Sequence, residues 1–388
     1  MYGIFNDNFP PVLDGVAITT HNYAFWLHQK GYPACVVTPY APGADGFIKS
    51  LPYPVYRYPS VPIPLRPPYR YGIRWADFRF LHRLNHMPFE IIHAHCPFTS
   101  GALALHLARK KHIPLVATFH SKYRQDFERA IPYKHIVDRV INRIVHFYEQ
   151  ADEVWIPQAS VEPTLREYGY KGEVVVVDNG SDMQIPLSEL YDYKRQVRKD
   201  LNISEKTPVF LFVGQHIWEK NIAFLLEALA RLNDIPFRCY MVGTGYAEEE
   251  IKNRICLLGL QEKVIMKGVI QNRQQLQSFY AAADLFLFPS LYDNAPLVLR
   301  EAAAMHTPAV LIKDSTAAEN IRDGWNGLLS NATIEDYASV IRFGINHRDV
   351  LLRLGDNAAN SLVRSWEDIV DEVNNRYIEI INRYALKR

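Results

Sequence analysis

The sequence holds little that would commit it to a membrane, a metal or a nucleic acid. No apolar run approaches the ~18–20 residues needed to cross a bilayer. Lys and Arg number 43 against 42 Asp and Glu, a net charge of +1 that offers no basic field for nucleic acid. Met1 leads straight into an apolar run, without the charged region, apolar region and cleavage site of a secretory leader. Only four cysteines occur (Cys35, Cys96, Cys239 and Cys256), scattered and without CxxC or histidine pairing. They predict free thiols in a reducing, cytoplasmic setting and argue against zinc. No G-x-G-x-x-G follows the first apolar run, which disfavours a simple dehydrogenase.

What is present is an ordinary globular balance, 48% apolar and 22% charged, over 388 residues. That length is too great for one compact core and predicts two domains. Residues 2–5, 34–38, 90–93, 115–119 and 153–157 read as buried strands, with helical periods such as 16–30 and 101–111 between them. Continuous apolar strands alternating with helices imply parallel sheet covered on both faces. The pattern then restarts, with strands expected at 208–214, 237–243, 264–268, 284–289 and 307–312. Ile222, Leu225, Leu226 and Leu229 repeat at helical spacing after the first of these.

The chain therefore divides into two doubly wound α/β domains, 1–180 and 200–365. A polar linker is expected at 181–199, opened by the turn residues Asn179-Gly180-Ser181-Asp182. A terminal helix at 366–388 is expected to pack back on the first domain. Residues 51–71 break the pattern with seven prolines, among them Pro67 and Pro68, interleaved with tyrosines and with Arg57, Arg66 and Arg70. Such density forbids a helix. The segment reads either as an extended surface loop or as an acceptor-side or membrane-surface loop.

In doubly wound sheets, ligands bind beyond the carboxyl ends of the strands. In the first half, Gly15 ends the loop 6–15 and opens a helix, where it either turns the chain or admits a ligand close to the backbone. In the second half, Val213-Gly214 ends a strand and Lys220 opens the next helix. A lysine there either sits in solvent or meets a phosphate. Further on, residues 289–296 lead from a strand into a helix, with Asn294 a fair N-cap and Pro296 suited to the first turn. The amides of Leu297 and Val298, with the positive end of the helix dipole behind them, suit a diphosphate.

Asp293 and Glu301 are separated by about 12 Å at 1.5 Å per residue. That exceeds the about 5–9.5 Å of paired glycosidase carboxylates. One carboxylate at each end of a nucleotide sugar fits the spacing. So does a turn cap at Asp293 with Glu301 paired to a neighbour such as Arg300.

Residues 289–310 resemble the acidic motif of family 4 retaining glycosyltransferases of GT-B fold, E-x7-E followed by A-x-A-x-G-T-P-V-V. Here it reads Asp293-x7-Glu301 and then Ala302-Ala303-Ala304-Met305-His306-Thr307-Pro308-Ala309-Val310. Residues 5–15 are similar to the family's F-x-D-x-x-P-x-x-x-G-V loop. His95-Cys96-Pro97-Phe98 and Thr118-Phe119-His120-Ser121 match H-x-P-F and T-x-H-T. Residues 213–221 resemble V-G-R-x-x-x-E-K-N, Val242-Gly243-Thr244-Gly245 matches V-G-x-G, 323–327 matches D-G-x-N-G, and Ser365-Trp366-Glu367 resembles a terminal S-W-E. Each stretch is weak alone; the ordered set, spanning nearly the whole chain, is specific.

The resemblance implies GT-B architecture, two Rossmann-like domains facing across a cleft, and a UDP- or GDP-sugar donor without a metal or other cofactor. It implies that Glu301 holds the donor ribose, Asp293 the transferred sugar, and Lys220 the diphosphate, helped by backbone at Gly15, Leu297 and Val298. His120 is implied at the reacting centre, Gly243 and Gly245 beside the nucleotide, and Glu319 as a further donor contact. Two departures stand out. Gln215 occupies the position of the family arginine, leaving Lys220 more of the phosphate charge, with His216 or Arg124 as possible helpers. Asp293 is one methylene shorter than the family glutamate.

The implied mechanism is front-face displacement under domain closure, with the departing phosphate taking the acceptor proton. The stretches around His95 and Thr118 look closest to members that glycosylate membrane lipids such as diacylglycerol, and a saccharide acceptor stays open. Residues 122–150 carry Lys122, Arg124, Arg129, Lys134, Arg139 and Arg143 among apolar residues. They read as an ordinary amphipathic helix or as a surface for an anionic membrane, which would place the protein on the inner membrane face. A non-catalytic nucleotide-sugar-binding protein and a nucleotide-sugar epimerase are the alternatives.

Overall fold

The two halves of the pattern are two units in the structure, a computed structural model that describes residues 1–12, 14–64, 69–183, 185–291 and 293–386. Arg66, Pro67, Pro68 and Tyr292, which fall in segments singled out above, lie outside the described residues. The first unit comprises Met1–Gly180 and Ser365–Arg388, the second Ser181–Arg364.

The strands of the first unit are β1 (Tyr2–Phe5), β2 (Ala34–Pro39), β3 (Val55–Tyr58), β4 (Ser60–Pro62), β5 (Arg70–Gly72), β6 (Ile91–Ala94), β7 (Leu115–Thr118), β8 (Glu153–Ile156) and β9 (Val175–Val176). Seven of them form a parallel sheet in the order β3-β2-β1-β6-β7-β8-β9, and β4 pairs with β5 antiparallel. The proline-rich stretch is thus partly sheet. Pro54 and Pro59 flank β3, an edge strand, and Pro62 ends β4, where a missing amide costs no ladder bond.

The stretch 122–150 is two helices, Tyr123–Ala130 and Lys134–Tyr148, interrupted at Pro132, whose ring and missing amide stop a helix. The second buries Val137, Ile141, Ile144, Val145 and Tyr148 and turns Lys134, Arg139 and Arg143 outward. The terminal helix Trp366–Leu386 belongs to the first unit, where Tyr377 donates or accepts at His93 Nδ1 (2.6 Å).

The second unit continues with β10 (Val209–Val213), β11 (Arg238–Val242), β12 (Val264–Gly268), β13 (Leu285–Phe288), β14 (Ala309–Ile312) and β15 (Leu328–Ser330), all parallel in the order β12-β11-β10-β13-β14-β15. Alternate residues of each strand enter two separate cores. Phe210, Phe212, Leu285 and Leu287 join one, whereas Val209, Leu211, Phe286 and Phe288 join the other. Both faces are therefore dry, which is why these strands read as unbroken apolar runs.

Residues 181–199 are not a linker. The helix Leu187–Asp200 packs within the second unit, with Arg198 donating to Ala282 O (3.0 Å) and to Asp284 (2.6 Å). Its polar composition misled because the helix buries little beyond Leu190, Val197 and Arg198.

Candidate functional site

In the second sheet the strand order reverses between β10 and β13, the switch point where open α/β sheets leave room for ligands. The loops after these two strands carry Lys220 and Asp293. Lys220 closes a 3-10 turn, Trp218–Lys220, and is buried; its ammonium donates to Asp293 Oδ1. Asp293 Oδ2 is buried with no hydrogen-bond partner. Asn221 follows in the left-handed conformation (φ 60°) and donates to Pro289 O (3.2 Å), tying the two loops a second time. The sequence placed Lys220 and Asp293 as separate contacts; the fold makes them partners.

The helix that follows runs Leu297–Ala304, starting one residue later than the sequence implies. Pro296 is its N-cap (φ −67°, ψ 124°), not its first residue, and Asn294 does not cap it. A proline at that position has no hydrogen-bonding side chain, so the cap residue leaves this N-terminus without a side-chain cap. Leu297 and Val298 thus stand at an uncapped, positive helix end.

Glu301 lies on the second turn of the same helix and is 4% exposed. Its carboxylate is met by donors from another helix, Arg273–Ala282. Arg273 Nη2 donates to Oε1 (2.6 Å) and Tyr280 Oη to Oε2 (2.7 Å). Arg273 also donates to Asp182 through Nε (2.9 Å) and Nη2 (2.5 Å). Burial opposes the charge on Arg273, but Glu301 and Asp182 outweigh it and hold the guanidinium ionised above its ordinary value. Burial, reinforced by Glu301, pushes the Tyr280 phenol up and keeps it a donor. Each carboxylate oxygen retains lone-pair capacity for a further donor. Sequence reasoning missed Arg273, Tyr280 and Asp182, because they lie on other elements far from the acidic motif.

Gln215 is exposed beside the buried His216, whose ring nitrogens have no partner and whose pKa burial lowers. Gly243 (φ 137°) would bring a Cβ within 1.9 Å of Gly214 O, and Gly245 one within 2.3 Å of His216 O. Their lack of a side chain is used first against this neighbouring loop. Glu319 is exposed, just past the 3-10 turn Thr316–Ala318. The D-G-x-N-G stretch is a turn built on Asn326, which accepts from Arg322 N (2.7 Å) and donates to Asn320 O (3.0 Å).

In the first unit, His120 follows β7 and its Nε2 meets His95 Nδ1 at 3.1 Å, the rings stacked 18° from parallel. His93 stacks on His95 and is held by Tyr377 and Thr118 (2.7 Å). Burial brings His120 down to about 3 and holds His93 and His95 well below the ordinary histidine value, so all three are neutral near pH 7. Gly15 is exposed as the first residue of the helix Gly15–Gln29, capped by Asp14 through Ala17 N (2.7 Å). Asp7 of the same loop caps the helix Thr99–Lys111 through Thr99 N (3.1 Å) and Ser100 N (2.8 Å). Arg124 is held by Asp138 (2.7 Å).

The chain resembles known proteins over nearly its whole length. The chain is 24% identical over 405 residues to alpha-monoglucosyldiacylglycerol synthase of Acholeplasma laidlawii, covering 96% of this chain and 98% of that one. It is 23% identical to a GDP-mannose-dependent alpha-mannosyltransferase of Corynebacterium glutamicum, over 97% of this chain and 88% of that one. Among solved structures, Anabaena HepE in complex with UDP and glucose superposes with a TM-score of 0.77 at 18% identity, covering 97% of this chain and 98% of that one. Sucrose-phosphate synthase from Thermosynechococcus elongatus superposes at 0.80 and 19% identity, over 99% and 100%. These share the GT-B fold. Glycosyltransferase Family 4 matches residues 13–185 and Glycosyl transferases group 1 matches 194–361, so that the two together span most of the sequence. The chain belongs to the family 4, group 1 glycosyltransferases.

Proposed function

We propose that this glycosyltransferase moves a hexose from a UDP- or GDP-sugar to a hydroxyl of a lipid or saccharide, with retention of anomeric configuration and without a metal. The observation that carries the reading is the buried Lys220–Asp293 pair beside the uncapped start of the helix bearing Glu301. A diphosphate competes with Asp293 for the Lys220 ammonium and accepts from the amides of Leu297 and Val298. Glu301, preset by Arg273 and Tyr280, accepts from the ribose hydroxyls. Asp293 then takes hydroxyls of the sugar through its unpartnered oxygen.

As the bond from the anomeric carbon to phosphate breaks, negative charge grows on the diphosphate, where Lys220 and the helix end meet it. The acceptor oxygen bonds to the same face of that carbon, and its proton passes to the departing phosphate oxygen. His120, neutral at working pH, orients sugar or acceptor by hydrogen bonding. Gln215 supplies no charge where the family has arginine, which leaves the lysine and the helix end as the principal counter-charge. Slow hydrolysis of a UDP- or GDP-hexose by the pure protein, lost in Glu301→Ala and Lys220→Ala, is the expected result. Thermal-shift titration selects the base. Unchanged hydrolysis in both variants, or a product of inverted configuration, overturns the reading.

A lipid acceptor at a membrane surface is favoured by one feature of the first unit. Tyr71, Trp75 and Phe78 are exposed, Phe78 by 80%, among Arg70, Arg74 and Arg79, and the outer face of the Lys134–Tyr148 helix adds Lys134, Arg139 and Arg143. Aromatics interleaved with cations suit an anionic lipid interface. No helix among the described residues is long and apolar enough to cross a membrane, so the association would be peripheral. Co-sedimentation with anionic vesicles at low salt, reduced at high salt, is expected; no binding at either salt sinks this reading.

A further inference from the structure

In the first sheet the strand order reverses between β1 and β6, and His95 and His120 follow the adjacent strands β6 and β7 at their carboxyl ends. Open α/β sheets leave room for ligands there. His95 Nδ1 and His120 Nε2 are 3.1 Å apart while the ring centres are 5.3 Å apart. The nitrogens therefore face each other along a hydrogen bond. Burial lowers both rings, so each is neutral near pH 7 and carries a single N–H. One ring must donate and the other accept.

The surroundings of His95 decide which. Its backbone amide donates to Phe5 O (2.8 Å). His93 stacks on one face of the ring (4.1 Å between centres, 27° between planes), and the Tyr23 ring stands at 81° to it (5.2 Å). His93 is itself clamped between the hydroxyls of Tyr377 (2.6 Å) and Thr118 (2.7 Å). His95 is thus fixed, 1% exposed, and its Nε2 has no hydrogen-bond partner. If His120 were the donor, the one proton of His95 would sit on that Nε2 as an orphaned buried N–H. If His95 donates from Nδ1, only a lone pair goes unused. An orphaned buried donor is the rarer of the two.

We propose that His95 is a positioning residue: it donates from Nδ1 to His120 Nε2 and so holds the one proton of His120 on Nδ1. His120 then meets substrate as a hydrogen-bond donor, through Nδ1, to an oxygen of the sugar or the acceptor. Its only lone pair is engaged by His95, so it takes no proton as a general base. This deepens the glycosyl-transfer reading, on which it rests, and fits a mechanism in which the departing phosphate takes the acceptor proton.

Long-range proton–nitrogen NMR of the full-length chain labelled with 15N-histidine tests the tautomer without any substrate. The His120 signals are identified by their loss in His120→Gln. A pyrrole-type Nδ1 and a pyridine-type Nε2 are expected for His120; the reverse overturns the proposal. His95→Leu is expected to release His120 to the Nε2–H tautomer. It should also lower kcat for hydrolysis of a UDP- or GDP-hexose about tenfold, the loss of one hydrogen bond in the transition state, with KM moving less. His95→Asn keeps an N–H donor near the place of Nδ1, and is expected to restore both the His120 tautomer and most of the rate. A ring that only fills space would not be replaced by asparagine in this way. An unchanged His120 tautomer in His95→Leu, or equal losses in the two variants, overturns the proposal. Failure of the glycosyl-transfer reading would appear differently, as the expected His120 tautomer in a chain that turns over neither UDP- nor GDP-hexose.

Discussion

Lys220 and Asp293 are one ion pair: the ammonium after β10 donates to the carboxylate after β13, and both side chains are largely withdrawn from solvent. The pair locks together the two loops of the switch point in the second unit. Removing either partner strands the other. Lys220→Met is therefore expected to destabilise this unit by about 2–3 kcal/mol, and Asp293→Asn by about 1–2 kcal/mol. The double variant should lose less than the sum, by about 1–2 kcal/mol of coupling. Urea unfolding of the four proteins checks this. Additive losses would mean that the contact contributes nothing to the fold.

Glu301 is set by two donors from other elements. Tyr280→Phe removes one from a buried carboxylate and should cost about 1–2 kcal/mol of stability. Arg273→Gln removes the other and releases Asp182 as well, so a similar or larger loss is expected. If Glu301 holds the ribose, Glu301→Ala weakens nucleotide binding about tenfold or more. Arg273→Gln should weaken it less, since the carboxylate survives with its orientation loosened. Calorimetric titration of the nucleotide in each variant gives the order. Equal affinities across the series would remove Glu301 from the donor site.

Much of this was legible in the sequence because burial on both faces writes itself as apolar runs. The cores on either side of the second sheet take alternate residues of β10 and β13, so every position of those strands is apolar. The strands that sequence reasoning missed are the ones without that signature: β3 at a sheet edge, the β4–β5 hairpin among prolines, and the short β9 and β15. Lys220, Asp293 and Glu301 stood out through their order along the chain. Their mutual pairing, and the Arg273–Asp182 support behind Glu301, depend on contacts between elements up to ninety-one positions apart. No local pattern encodes such contacts. The helix start was misplaced by one residue because a proline serves equally as first residue or as cap, and only backbone angles separate the two.

Two glycines in the second unit separate conformational strain from collision. Gly259 sits at φ 67° with nothing within 4 Å of a Cβ, so Gly259→Ala should cost only the left-handed backbone penalty, about 1 kcal/mol. Gly243, at φ 137°, would drive a Cβ to 1.9 Å from Gly214 O, a backbone atom that cannot swing aside. Gly243→Ala is expected to cost more than about 3 kcal/mol and to loosen the loop that carries Gln215 and His216. Melting temperatures of the two variants, measured side by side, should differ by several degrees in that order. Similar values would mean that the Gly214 loop yields freely.

The histidine cluster of the first unit predicts an acid-sensitive fold. Burial brings His120 from 6.5 to about 3, and His93 and His95 are lowered by burial together with the neighbouring rings. Between the two values an unfolded chain binds a proton at His120 that the folded chain refuses. Stability therefore rises with pH from about 3 to 6.5 and levels off above that. The slope is at most about 1.4 kcal/mol per pH unit for each histidine. Between pH 6.5 and 5, before most carboxylates protonate, the unfolding midpoint should fall. The fall should be shallower in His120→Gln, where one of the titrating rings is gone. Donor turnover between pH 6 and 8, by contrast, should show no inflection from His120, because the ring is already neutral throughout that range. An inflection there that disappears in His120→Gln would mean that the ring stands in water, outside the buried stack with His95.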